Sequence, residues 1–214
     1  MKISFIRFFF SAALIAVFTS AYASASSDLS SLLDAVQSMR ANFTQTIYDN
    51  RGKAIQKSYG RMAMQRPGKF RWEVTRPIPQ LIIANGTKLW IYDPDLQQLT
   101  IRSLEKAAGE TPALLLSHVG NVLDNDFTVK TLQKNSPKWN WFALTPKNQG
   151  NMFDSIQMGF VNKQIQEMRL ADNLGHTTVI QYQNIQTNVN IPASLFVFKP
   201  TAKIDVIDET RKKK

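Results

Sequence analysis

The chain has 214 residues, 43% of them hydrophobic and 20% charged, carries a formal charge of +10 and contains no cysteine. That length supports one domain with a sizeable core, and the lack of cysteine excludes disulfides and thiol redox chemistry. The basic balance suits anionic headgroups, acidic proteins or nucleic acid alike.

The first residues read as a leader. Lys2 and Arg7 flank the start of an apolar run from Phe8 to Phe18, and Ala21-Tyr22-Ala23 places small residues where a signal peptidase reads. The run falls short of the roughly 18–20 residues that span a bilayer, which argues against an anchor. Cleavage is expected after Ala23, with Ala25 the next candidate, and no cysteine stands nearby to make the product a lipoprotein. The expected mature chain, 24–214, is one soluble exported domain, and export argues against nucleic acid as a partner. Its end, from about 209, is a basic tail closing on Arg211-Lys212-Lys213-Lys214, read here as a solvated terminus.

In chain order, Ser27 or Asp28 can cap a helix whose Leu29, Leu32, Leu33, Val36 and Met39 fall at i, i+3, i+4, i+7 and i+10, one apolar stripe on a polar rod. Asn42 to Tyr48 and Ile55 to Met64 then read as strands, and Gly60 in the second marks a bend or a close backbone approach. Phe70, Trp72 and Val74 alternate with polar residues, the period of a half-buried strand. Arg66-Pro67-Gly68 turns into that strand, and Asn85-Gly86 joins Ile82-Ile83-Ala84 to Leu89-Trp90-Ile91-Tyr92 as a hairpin. Leu99 to Arg102 continues the sheet. Ser103 to Ala108 looks helical, and Thr111-Pro112 starts a short helix through Leu114 and Leu115, with Gly120 a plausible stop. Strands resume at Phe127–Gln133, Trp139–Leu144, Met152–Phe160, Ile165–Ala171 and Thr177–Thr187, and Leu195–Phe198 reads as the last one. The pattern predicts a mainly β fold, one curled antiparallel sheet or barrel.

Catalytic chemistry is missing from the sequence. The two histidines, His118 and His176, lack metal-ligand spacing, and no nucleophile motif occurs. Asp124-Asn125-Asp126 reads as an acidic turn rather than a cation loop, and an esterase built on Ser58 or His118 is the remaining enzyme reading. No cofactor is expected. What stands out is apolar surface: Phe70, Trp72, Val74, Leu89, Ile91, Trp139, Trp141 and Met152, Met158 and Met168 on strands. Periodicity alone fits an ordinary sheet–helix core equally well. Methionines where β-branched residues are usual suit a surface that repacks around variable apolar guests.

Asp28-Leu29…Leu33…Val36, Phe43-Thr44-Gln45, Arg66-Pro67-x-x-Phe70-x-Trp72, Asn85-Gly86-x-x-Leu89-Trp90-x-Tyr92, Thr111-Pro112 and Phe196-x-Phe198-x-Pro200 occur in this order behind the leader. In this the chain resembles the periplasmic outer-membrane lipoprotein carriers, the LolA family. The related outer-membrane receptor, LolB, is itself a lipoprotein, which the absent cysteine disfavours. The resemblance implies an incomplete antiparallel β-barrel of about 11–12 strands with a helical lid over a hydrophobic cavity for lipoprotein acyl chains. It implies a monomer in the periplasm that is not an enzyme, loaded by an inner-membrane lipoprotein-releasing ABC transporter and unloaded to an outer-membrane lipoprotein receptor. A carrier of another lipid or glycolipid on the same fold is the alternative. On this resemblance the cavity holds Met62, Phe70, Trp72, Val74, Leu89 and Ile91, the lid Leu29, Leu32, Leu33, Val36, Leu114 and Leu115, and Arg66 latches the lid by bonding its backbone. The basic extension after Asp208 has no counterpart in the family pattern.

Overall fold

Local chemistry builds the central hairpins. Three residues, Arg66–Gly68, join β2 (Ala54–Gln65) to β3 (Lys69–Arg76), and Gly68 closes the loop at φ +65°. Between β4 (Gln80–Asn85) and β5 (Lys88–Asp93) the hairpin forms as expected, with Gly86 at φ +99°. Asn85 acts there through its side chain, whose Oδ1 accepts from the Thr87 and Lys88 amides. The two turns pack together so closely that a Cβ on Gly68 would stand 3.0 Å from the Gly86 Cα.

The computed structural model describes residues 20–104, 112–117, 122–132, 138–148, 152–199 and 204–210. Around β2–β5 lie β1 (Ser38–Tyr48), β6 (Gln98–Ser103), β7 (Phe127–Leu132), β8 (Trp139–Pro146), β9 (Phe153–Val161), β10 (Gln164–Asp172), β11 (Thr177–Thr187) and β12 (Asp205–Asp208). They form one 12-stranded open sheet in the order β12-β6-β5-β4-β3-β2-β1-β11-β10-β9-β8-β7. Helix α1 (Ser20–Asp34), a 3₁₀ turn (Pro112–Leu116) and the short α2 (Val122–Asp126) accompany the sheet. The expected antiparallel sheet with a helical cover is the observed architecture, open rather than closed into a barrel and antiparallel in every pairing but that of β12 with β6.

Gly60 has the expected close approach. Phe43 pairs with Gly60 across β1 and β2, and a Cβ there would overlap both the Phe43 ring and the Glu73 carbonyl oxygen. The missing side chain lets Phe43 lie down and stack on Trp72, ring centroids 3.6 Å apart at 15°.

Four expectations are corrected. The helix begins at Ser20, ahead of Ser27, and ends at Asp34, so Val36 lies in the exit segment and Met39 on β1. The apolar stripe runs past the helix end because β1 continues into the same core. Leu195–Phe198 is not a strand: Ala193–Phe196 forms a 3₁₀ turn that tucks Phe196 against Ala63 and Ile191, outside the main core. The sheet gains β12 after it, parallel to β6, pairing Asp205 with Gln98 through Asp208 with Ile101. Glu209 extends that edge with an ion pair to Arg102 at 3.0 Å, so the tail is tied down as far as Glu209. Trp139 and Trp141 lie on the sheet face opposite Phe142 and Leu144, and only the latter pair joins the main core. Arg169 covers the Trp141 ring at 5.1 Å, and Gly159 lacks the Cβ that would clash with it. The helix expected over Ser103–Ala108, the Gly120 stop, His118 and the Arg211–Lys214 tail fall largely or wholly outside the described residues.

Candidate functional site

One face of the sheet and the underside of the helices share a single apolar cluster. Period-two alternation turns Phe70, Trp72 and Val74 inward from β3, Met62 and Met64 from β2, and Leu89 from β5; Ile91 packs half-buried against them. From the other side Leu29 and Leu33 of α1, with Leu114, Leu115 and Leu116 of the 3₁₀ turn, enter the same cluster, while Leu32 and Val36 pack at its margin. Every sequence-predicted cavity and lid residue therefore meets in one place. Phe70, Leu89, Leu29 and Leu114 are each 0% exposed. Met158 and Met168 join them, whereas Met152 stands 52% exposed outside. Between the end of α1 and the sheet a cavity of only about 20 Å³ is left, bounded by Leu32, Leu33, Val36, Met39, Met64, Arg66, Leu116 and Phe160 among others. That is room for about one water molecule. The lid is shut.

Polar contacts hold it at both ends. Toward the start of α1, the Ser26 hydroxyl donates to the Asp124 carboxylate on α2. At the other end, the Arg66 side chain is 2% exposed and its Nε donates to the Val36 carbonyl at 2.9 Å. Its Nη1 stands 3.6 Å from the Asp34 carboxylate, which is 54% exposed and so contributes little. Burial draws the Arg66 guanidinium below the usual arginine pKa, and Asp34 opposes the shift. The backbone of the same turn helps: the Arg66 amide donates to the Gln37 carbonyl and the Gly68 amide to the Ser117 carbonyl, both at 2.9 Å. One turn thus touches both pieces of the lid.

Asn188, which the sequence did not point to, clamps the exit segment from the opposite side. Its Nδ2 donates to the Ala35 carbonyl at 3.0 Å, and its Oδ1 accepts from the Gln37 amide at 2.8 Å. These partners lie 153 and 151 positions away in the chain, so no local pattern marks them. The residue sits at φ +56°, a left-handed position that asparagine tolerates. Asn188→Gly keeps that backbone and removes both bonds. Neutral bonds of this kind contribute about 0.5–1.5 kcal/mol each. Hydrogen exchange should show the Gln37 amide protection falling by about five-fold or more while core strand amides keep theirs.

Residues 34–199 match the family model described as Outer membrane lipoprotein carrier protein LolA. The chain belongs to the LolA family. Over 189 residues, covering 88% of this chain and 90% of the relative, it is 38% identical to the Outer-membrane lipoprotein carrier protein of Dechloromonas aromatica. To the protein of the same name in Legionella pneumophila strain Corby it is 41% identical over 181 residues, 85% of this chain and 88% of the relative. Among solved structures, an uncharacterized conserved protein of Thermus thermophilus shares the fold at TM-score 0.53 and 12% identity, over 85% of this chain and 99% of that one. The LolA match ends before β12, so the parallel edge strand lies beyond the matched segment.

Among the described residues, which do not include His118, the enzyme reading gains no support from the geometry. Ser58 is buried, and its hydroxyl receives only a long bond from Gln56. His176 caps a turn with Asp172 at 3.1 Å. Among the described residues no group of histidines and carboxylates could hold a metal ion, and Asp124 is bonded to the lid instead.

Proposed function

We propose that this chain carries acylated lipoproteins across the periplasm, without catalysis, and that the apolar cluster beneath the lid is where the acyl chains go. The carrying observation is the pairing of a predominantly apolar interior with a lid fastened by polar bonds. An acyl chain exposed to water costs roughly 0.8 kcal/mol per CH₂, so a passenger with two or three chains cannot cross an aqueous gap at a useful rate. A carrier must shield those chains yet release them without consuming ATP. A closed state with its own hydrogen bonds meets that need, because loading breaks the bonds and release restores them.

In this reading Met62, Phe70, Trp72, Val74, Leu89 and Ile91 contact the chains, while Leu29, Leu32, Leu33, Val36, Leu114 and Leu115 swing away with the lid. Arg66 is the latch. The protein works as a monomeric single domain, receives its passenger from an inner-membrane lipoprotein-releasing ABC transporter and yields it to an outer-membrane receptor. Removal of the leader after Ala23 suits this mechanism, since it retains Ala25, 4% exposed within the core cluster, and Ser26, bonded to Asp124.

Mass spectrometry of the protein purified from its own periplasm, with the latch weakened to retain passengers, tests the proposal. Acylated polypeptides are the expected co-purifying material. Free lipids or glycolipids without polypeptide would replace the lipoprotein reading with that of another lipid carrier.

A further inference from the structure

The sheet has a split in its wall. Strands β10 and β11 pair from Ala171 with Thr177 to Glu167 with Gln181, and there the ladder stops. On one side Gln164 and Ile165 stay with β9, opposite Val161 and Phe160. On the other, Tyr182 to Thr187 stay with β1, opposite Phe43 to Met39. The edges that face each other across the gap have no partner strand among the described residues. A cleft of about 780 Å³ lies between them. Val36, Lys163, Gln164 and Thr187 border both this cleft and the small apolar cavity behind the lid. The cleft therefore adjoins the small apolar cavity behind the lid.

We propose that this split seats, as an added strand, the stretch of passenger polypeptide next to its acylated residue. The inference rests on the carrier reading. If acyl chains fill the interior, the polypeptide joined to them leaves through an opening in the wall, and its first backbone groups emerge from the apolar cluster behind the lid. A backbone N–H or C=O left unpaired there is costly. Two open strand edges supply backbone partners for an extended chain, and such pairing does not depend on the guest's sequence. The rim fits the same guest: the amides of Gln164, Gln166 and Gln183 border it beside the half-buried ring of Trp139. It fits an anionic headgroup poorly. Among the described residues Lys163 is the one cation bordering the cleft, and the bordering carboxylate, Glu167, is engaged by Arg169 Nε at 2.6 Å and Gln181 Nε2 at 3.1 Å.

The test uses the full mature protein and two synthetic probes, a triacylated cysteinyl decapeptide and triacyl-cysteine amide without peptide. With p-benzoylphenylalanine at position 183, irradiation should crosslink the decapeptide through its first residues after the cysteine. The same photoreactive group at Leu174, exposed in the turn at the far end of β10 and β11, should not. Gln183→Trp, which crowds the cleft from an exposed position, should weaken decapeptide binding about ten-fold and leave triacyl-cysteine amide binding within two-fold. A decapeptide N-methylated at those first residues should bind the unaltered protein about ten-fold less tightly, because it cannot donate backbone bonds. Absence of crosslinks at position 183, equal losses for both probes, or full affinity of the N-methylated peptide would each overturn the inference. Failure of the unaltered protein to take up either probe would overturn the carrier reading beneath it.

Discussion

Arg66→Leu is expected to hold an acylated passenger about ten-fold tighter than the unaltered protein and to deliver it correspondingly more slowly. In the closed state the Arg66 Nε bonds the Val36 carbonyl at 2.9 Å from a side chain that is 2% exposed. A hydrogen bond with one charged partner is worth roughly 1.5–3 kcal/mol. A guest that lifts the lid forfeits that bond and leaves a guanidinium beside acyl chains. Leucine has no such bond to lose, and beside a guest it adds apolar contact. The loaded state therefore gains relative to the closed one. Lysine keeps the charge but not the planar fork that reaches Val36 and Asp34 together, so Arg66→Lys should fall between the two. Timing transfer from loaded carrier to the soluble receptor domain reads the effect. If Arg66→Leu loads poorly and releases at the unaltered rate, Arg66 binds the guest and does not latch the lid.

Phe70→Glu should abolish loading and lower the melting temperature by about 10 °C. Phe70 is 0% exposed, paired with Met64 on β2 and Ala84 on β4. Removing a buried phenylalanine costs roughly 3–5 kcal/mol, and in a protein of this size each kcal/mol moves the melting point by about 2–4 °C. The introduced carboxyl adds its own burial cost unless it stays protonated. Burial raises the pKa of such a group, so the native state binds its proton more tightly than the unfolded chain does. Stability then falls as pH rises from the unfolded pKa through the raised native one, and the melting deficit should be larger at pH 8 than at pH 5. Phe70→Leu separates the two effects: it keeps an apolar face and should retain loading despite some loss of stability. Normal loading by Phe70→Glu would remove Phe70 from the acyl path.

Local residue chemistry determined much of what matters here. The alternation at Phe70, Trp72 and Val74 turned one face inward, Gly68 and Gly86 set the hairpins, and the bare Cα of Gly60 made room for Phe43. The stripe from Leu29 to Val36 already marked the side of α1 that covers the sheet. Periodicity reports which residues share a face, because side chains repeat every two residues in a strand and every 3.6 in a helix. It does not report where an element stops or which distant backbone it meets. Val36 and Met39 continue the helical stripe, yet the helix ends at Asp34, where Gln37 bonds Asn188 and Ser38 bonds Val189, each 151 positions away. Trp141 is as apolar as Phe142, and only the glycine at 159 and the guanidinium at 169 settle that it lies on the far side of the wall. The parallel β12, the Asn188 clamp and the split between β10 and β11 arise from pairings between segments remote in the chain. Such pairings are chosen by the closing geometry of the whole sheet, since a backbone N–H or C=O can bond any strand brought alongside it, and they leave no mark in the order of neighbouring residues.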